Sequence, residues 1–392
     1  MNEICSLFLL DPQIHFLNHG SFGACPRPVF ETYQAWQRRL ESQPVLLLGR
    51  QFAGLMAFAR QQLGDYLGAA ADDLVYIPNA TYGVNLVARS LALTPGDEIL
   101  TSNHEYGACD NAWEFVCRQA GARYLHQPLD LPIVSVSDCV EQFWQGVTGR
   151  TRLIFLSHIT SPTAQLLPVE AICQRARQAG ILTLIDGAHA PGQLPLQLEA
   201  SGADFYTGNA HKWLLSPKGA AFLYARRAVQ PLVQPLVVSW GYSADEQTTT
   251  GSRFVDLLQW TGTYDPSAAL SVPAALEFIQ AHAWPSRGRA CNALLCQALR
   301  RLQDLTGLPG AYGERATSCA LPPQLAVARL PAAADLIRLK AGLYDEFRVE
   351  VPLIEWNGQK FIRLSLQAYN DQADVDQLLA GLEFLLKEQR IF

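Results

Sequence analysis

The 392-residue sequence predicts an α/β fold, in which a large unit with a mostly parallel sheet between helices is followed by a smaller α+β unit. Three observations lead there. From residue 74 to residue 224, short β-branched runs alternate with helix-period segments, the rhythm a parallel sheet requires. After Thr263-Tyr264-Asp265-Pro266 that rhythm gives way to long helical stretches and a few further strand-like runs. Hydrophobic residues make up 49% of the chain and charged residues 17%, the balance of an ordinary folded protein.

In chain order, Ile4 to Leu10 is a short apolar run with Glu3 before it and no basic stretch, so it does not read as a signal peptide. Phe16 to Pro26 is rich in glycine and turn residues. Residues 1–25 are therefore expected at the junction of two domains, a large one over 26–262 and a small one over 263–392. Leu74 to Ile77 reads as a strand, Thr81 to Leu93 as a helix, Glu98 to Thr101 as a strand and Gly107 to Ala120 as a helix. Leu153 to Leu156 is a strand, Pro168 to Ala179 a helix, and Ile181 to Ile185, Ala203 to Thr207 and Ala220 to Tyr224 are strands. Helices are expected over Ser267 to Ala281 and Ser286 to Thr306, and around Ala333 to Asp345 and Asp371 to Gln389. Strands are expected at Leu325 to Ala328, Val349 to Glu355 and Phe361 to Leu366.

A net charge of −6 and a pI near 5.8 give no reason to expect a nucleic-acid or anionic-membrane partner. No apolar stretch approaches the ~20 residues of a membrane-spanning helix. The nine cysteines include no C-x-x-C pair. Cys109/Cys117 and Cys291/Cys296 fall in helix-like stretches, which suits buried free thiols in a reducing compartment and a cytoplasmic location.

The chemistry concentrates at strand ends. Lys212 sits in Tyr206-Thr207-Gly208-Asn209-Ala210-His211-Lys212-Trp213, downstream of Ile185-Asp186-Gly187-Ala188-His189. Lysine is scarce in this chain, and only Lys212 lies between His and Trp. An apolar strand ending in Asp and a second ending in His-Lys are what pyridoxal 5′-phosphate (PLP) requires. The lysine forms a Schiff base with the cofactor aldehyde, and the carboxylate keeps the pyridine nitrogen protonated. A buried unpaired Asp186 would be costly, and the pyridinium relieves that cost; a helix cap or ion pair is the alternative. His189 is placed to hydrogen-bond the phenolic oxygen, and His104, in Ser102-Asn103-His104-Glu105-Tyr106, to stack on the ring. Pro78-Asn79-Ala80-Thr81 follows a strand and opens a helix, whose free N–H groups and dipole suit a phosphate; plain N-capping is the alternative. Arg363, in Phe361-Ile362-Arg363-Leu364-Ser365, needs an anionic partner, which the carboxylate of an amino acid supplies; a structural ion pair is the alternative.

These residues resemble the class V aminotransferase family of PLP enzymes, fold type I, and within it the isopenicillin N epimerase-like subgroup. The resemblance runs from Phe16 to the C-terminus. It rests on Leu17-Asn18-His19-Gly20-Ser21-Phe22-Gly23, Ser157-His158-Ile159-Thr160-Ser161-Pro162-Thr163, Asp186-Gly187-Ala188-His189-Ala190-Pro191-Gly192, Trp260-Thr261-Gly262-Thr263 and Ile362-Arg363-Leu364-Ser365 with Tyr369-Asn370. It implies PLP on Lys212, Asp186 at the ring nitrogen and His104 on the ring face. Asn79, Ala80 and Thr81 would flank the phosphate, with Asn209 and His211 on its other side. Arg363 would hold the substrate carboxylate, with Asn18, His19 and Gly20 beside it. The resemblance also implies a homodimer with shared active sites, where Thr263 reaches the phosphate of the neighbouring subunit.

Cysteine desulfurases of this family carry a reactive cysteine shortly before the arginine. Here Phe347 to Trp356 has none, and Cys319 lies far upstream, so a protein-bound persulfide is not expected. Tyr82 and Tyr264 are candidates to shape substrate choice, and His104, Tyr106 and Tyr82 to act as a second acid. The expected function is action at Cα of an amino acid or modified cysteine, by C–S β-elimination or epimerisation. Transamination and a catalytically silent scaffold are the alternatives.

Overall fold

Seven strands form the central sheet in the computed structural model, which describes residues 3–133, 135–243, 250–312 and 322–388. They are β1 (Leu74–Ile77), β2 (Glu98–Ser102), β3 (Arg123–Gln127), β4 (Thr151–Ser157), β5 (Leu182–Asp186), β6 (Phe205–Asn209) and β7 (Ala221–Ala225). Their spatial order is β1-β7-β6-β5-β4-β2-β3, and every pairing is parallel except the two made by β7. The central strands are buried on both faces, as helices on each side of a parallel sheet demand. Alternate side chains feed opposite cores: Ile154, Leu156 and Ile185 join one apolar cluster, and Leu153, Phe155 and Leu184 the other.

The longer helices are α1 (Arg27–Ser42), α2 (Phe52–Leu67), α3 (Ala80–Ser90), α4 (Gly107–Ala120), α5 (Val136–Trp144), α6 (Val169–Gln178), α7 (Val272–Ala281), α8 (Trp284–Thr306), α9 (Leu336–Asp345) and α10 (Gln372–Glu388). Gly83 lets α3 press onto the sheet: a Cβ there would meet Thr207 Oγ1 at 2.3 Å.

A second, antiparallel sheet has the order β9 (Leu353–Trp356), β10 (Gln359–Ser365), β8 (Leu325–Leu330). The N-terminal segment binds to this unit: His15–Phe16 pairs in parallel with Val349–Glu350, and the Ser365 N–H donates to the Leu17 carbonyl at 3.0 Å. The same segment reaches the large sheet at Gly23, whose φ of 69° and contact of 2.0 Å between a built Cβ and the His211 carbonyl exclude any side chain. Helix α7 packs on α1 and α2, so the apolar cluster runs continuously from the large sheet into the C-terminal unit.

The structure alters several expected elements. The strand expected over Val349 to Glu355 is divided at Val351-Pro352: its first part pairs with the N-terminal segment and its second with β10. The helix expected over Ser267 to Ala281 is two, Ser267–Leu270 and α7, because Pro273 has no N–H to carry the ladder across. Helices α1, α2 and α5 and strand β3 are additions; β3 is an edge strand whose exposed Arg123 and His126 disguise it as a loop. Among the described residues, no helix is long and apolar enough to cross a membrane, and no cluster of His, Cys, Asp or Glu could hold a metal.

Candidate active site

The parallel register brings the carboxyl ends of three strands side by side, with Ser157 opposite Asp186 and Asp186 opposite Thr207. Loops from these ends, with those after β1 and β2, enclose a cavity of about 520 Å³, where an open α/β sheet binds its ligand. Asn79, Ala80, Thr81, Asn209 and His211 line it, together with Asp186, His189 and Lys212 and with Gly20 and Arg363.

At the start of α3, the Asn79 side chain caps the helix by accepting the Tyr82 N–H at 2.9 Å, and Asn209 Oδ1 accepts the Ala80 N–H at 2.9 Å. Both asparagines thus fix the helix start, leaving Thr81 in the first turn to face the cavity with the positive end of the helix. Lys218 also lines the cavity and donates to the Gly23 carbonyl at 3.1 Å.

Asp186 ends β5 in a fully buried setting. Its Oδ1 accepts the Ala188 N–H at 2.8 Å, while Oδ2 has only the weak Cys109 thiol at 3.6 Å among the described residues. Burial holds its carboxyl above the usual range, so a cationic ring N–H is the partner this carboxylate lacks. Burial, then the nearby positive charge of Arg363, brings the Lys212 amine down to about 8. Its Nζ lies 3.3 Å from His189 Nε2, and His189 Nδ1 accepts the Trp213 indole N–H at 3.3 Å.

Arg363, 5% exposed, has no carboxylate partner among the described residues. Nη1 donates to the Ser161 carbonyl at 2.6 Å and to its hydroxyl at 3.1 Å, Nη2 donates to Ser21 Oγ at 3.2 Å, and Nε is unpaired. These contacts aim the guanidinium without neutralising it, and burial lowers its pKa to about 10.

Four expected site residues do not line the cavity. His104 is buried with both ring nitrogens engaged, Nδ1 with Thr163 Oγ1 at 2.7 Å and Nε2 with the Leu129 carbonyl at 2.8 Å, and it stacks on Trp356 at 4.3 Å. Its ring face is therefore taken by protein, and Tyr106, two residues on, is the side chain of that loop that faces the cavity. His19 lies beneath the lysine: Nε2 donates to the Lys212 carbonyl at 3.1 Å and Nδ1 accepts from Tyr369 Oη at 2.9 Å. Asn18 donates to Glu350 at 2.9 Å and accepts from Ser21 Oγ at 2.5 Å, so it acts on Arg363 through Ser21. Thr263 is exposed and outside this cavity.

Of the tyrosines, Tyr82 packs into the cluster around α3 and Tyr264 donates to the Gln259 carbonyl at 3.2 Å; neither lines the cavity. Cys319 lies outside the described residues. No cysteine lines the cavity among those described; burial holds the Cys109 thiol well above its usual range and pushes Cys25 up to about 12. Ser21, Ser161 and Lys218 are site residues the sequence left without a role, although the first two fall inside the motifs quoted for the resemblance.

The class-V aminotransferase family model matches residues 23–378. The chain belongs to this family. Among its relatives, isopenicillin N epimerase of Amycolatopsis lactamdurans is 36% identical over 389 residues, covering 96% of each chain. A probable chloroplastic L-cysteine desulfhydrase of Arabidopsis thaliana is 27% identical over 410 residues, covering 96% of this chain and 84% of that one. A solved structure of a C-DES variant, with glycine covalently linked to its PLP cofactor, superposes with a TM-score of 0.80 at 23% identity, covering 95% of this chain and 97% of that one. The chain is a PLP-dependent enzyme, and its cavity fits the cofactor: an amine of lowered pKa, an under-partnered buried carboxylate and a helix N-terminus converge there.

Proposed function

We propose that this class-V aminotransferase-family enzyme acts at Cα of an amino acid or a modified cysteine, as a C–S lyase or an epimerase. The observation that carries this reading is Arg363, a buried guanidinium with no carboxylate partner among the described residues, facing the same cavity as Lys212. Its planar fork binds a carboxylate with charge-assisted hydrogen bonds. Lys212 would hold PLP, Asp186 its ring nitrogen and His189 its phenolic oxygen. Thr81, with the start of α3, Asn209 and His211, would hold its phosphate. When bound, the cofactor supplies the electron sink that makes a Cα–H bond acidic.

The side chains supply the rest. Arg363, aimed by Ser161 and Ser21, fixes the carboxylate and so sets which Cα bond faces the lysine. Lys212 Nζ takes the Cα proton as a general base, helped by its lowered pKa. For epimerisation a second donor must return a proton to the opposite face, and Tyr106 is the hydroxyl-bearing cavity residue of the three candidates. For β-elimination the sulfur would leave as free sulfide or a small persulfide, which accords with a cavity free of cysteine among the described residues.

We also infer a cytoplasmic homodimer with shared active sites. Phe22 is 72% exposed and Tyr106 48% exposed although both line the cavity, and a second copy would cover them and bring in Thr263. The deciding experiment incubates the purified PLP-loaded protein with L-cysteine, L-cystine, cysteine sulfoxides and single enantiomers of amino acids, following pyruvate, sulfide and chirality. Pyruvate and ammonia in equal amounts identify a lyase, and racemised Cα an epimerase; alanine formed from cysteine would reject both.

A further inference from the structure

The geometry around Lys212 leaves one side chain without a task. Trp213 is fully buried beside the lysine, and its indole Nε1–H points at His189 Nδ1 at 3.3 Å. We propose that Trp213 is a positioning residue: its indole N–H fixes the tautomer of His189, so that the histidine presents Nε2–H, and not a lone pair, to the lysine and to the reacting end of the cavity.

The proton positions follow from the partners. An indole N–H donates and cannot accept, so the His189 Nδ1 it meets carries a lone pair. A neutral imidazole then bears its proton on Nε2. Nε2 lies 3.3 Å from Lys212 Nζ, where the amine, once deprotonated above its pKa of about 8, accepts that proton's hydrogen bond. Burial holds His189 well below its usual pKa, which keeps the ring neutral. The His189 backbone is pinned as well, since Gln193 Nε2 donates to its carbonyl at 2.8 Å.

The indole is itself held by a ring of fixed protonation. His19 packs on Trp213 at 4.8 Å between ring centroids. The Lys212 carbonyl can only accept, so His19 carries its proton on Nε2, and Tyr369 donates to its Nδ1. The lysine is thus bounded by two histidines whose tautomers are both set by single-function partners. The consequence lies at His189. With Nε2–H it stabilises negative charge on an oxygen in the cavity; with a lone pair there it would repel that charge.

The protonation state is a property of the full-length chain, with or without cofactor, so its failure and that of the proposed reaction are separable. With 15N-labelled histidine at a pH above 8, where the Lys212 amine is deprotonated, the ring 15N–1H correlations of His189 should show one proton, on Nε2. Removing the donor, by Trp213→Phe or by site-specific replacement of that indole with its benzothiophene isostere, should raise the Nδ1–H share roughly fivefold, the worth of one neutral hydrogen bond. The isostere keeps the ring's shape where Phe could leave a cavity. A proton on Nδ1 or on both nitrogens in the unmodified protein would overturn the proposal, and so would an unchanged ratio in the isostere-bearing protein.

Discussion

Replacing Arg363 by Ala removes the one guanidinium that lines the cavity among the described residues, the group arranged to fork onto a carboxylate. Its two outer nitrogens are already aimed by Ser161 and Ser21, so little reorganisation is needed to bind. A buried charge-assisted pair of this kind is worth roughly 2–5 kcal/mol on truncation. That is about thirty-fold to several thousand-fold in kcat/KM. The loss should appear mainly in KM, because the carboxylate contact exists in ground state and transition state alike. It should be specific too: the wild type should strongly prefer an amino acid to its carboxamide, and the variant should lose that preference. Stability should move the other way. Burial lowers the guanidinium from 12.5 to about 10, which is on the order of 3 kcal/mol against holding the charge in the folded chain below its pKa. Arg363→Met should therefore leave the melting temperature of the cofactor-free protein unchanged or raised. A folded Arg363→Ala protein with kcat/KM within about threefold of wild type and carboxylate preference intact would refute the reasoning.

Asp186→Asn keeps the shape but not the charge, so turnover should fall roughly ten- to hundredfold, the worth of a charge-assisted hydrogen bond, while equilibrium dialysis still shows PLP bound. Thr81→Ala should weaken PLP affinity by about fivefold, one neutral hydrogen bond, also read by dialysis. The amine is nucleophilic only when deprotonated, above its pKa. The rate at which cofactor-free protein captures PLP should accordingly rise with pH through about 8 and then level, and a rise continuing past pH 10 would show an unperturbed lysine.

The large sheet was legible because buried parallel strands are unmixed apolar runs, and Asp186 and Lys212 stand out where such runs end. Edge strand β3 was not, since its half-exposed residues carry no apolar run. Helices α1 and α2 showed no strand beside them to mark their limits. His104 and Tyr106 show the limit within the site: both follow the same strand, and only the turn at its end decides which side chain enters the cavity. That His19 holds the lysine's carbonyl across 193 residues of chain has no local signal at all.

The central claim is that Lys212 removes the Cα proton of a substrate held by its carboxylate. Solvent exchange in D2O tests it most directly, using the PLP-loaded protein with L-alanine, which has no β-leaving group, and mass spectrometry of the recovered amino acid. Deuterium is expected at Cα with wild-type protein and none with Lys212→Ala; undiminished exchange in Lys212→Ala, or none in the wild type while it turns over cysteine to pyruvate, would contradict that role.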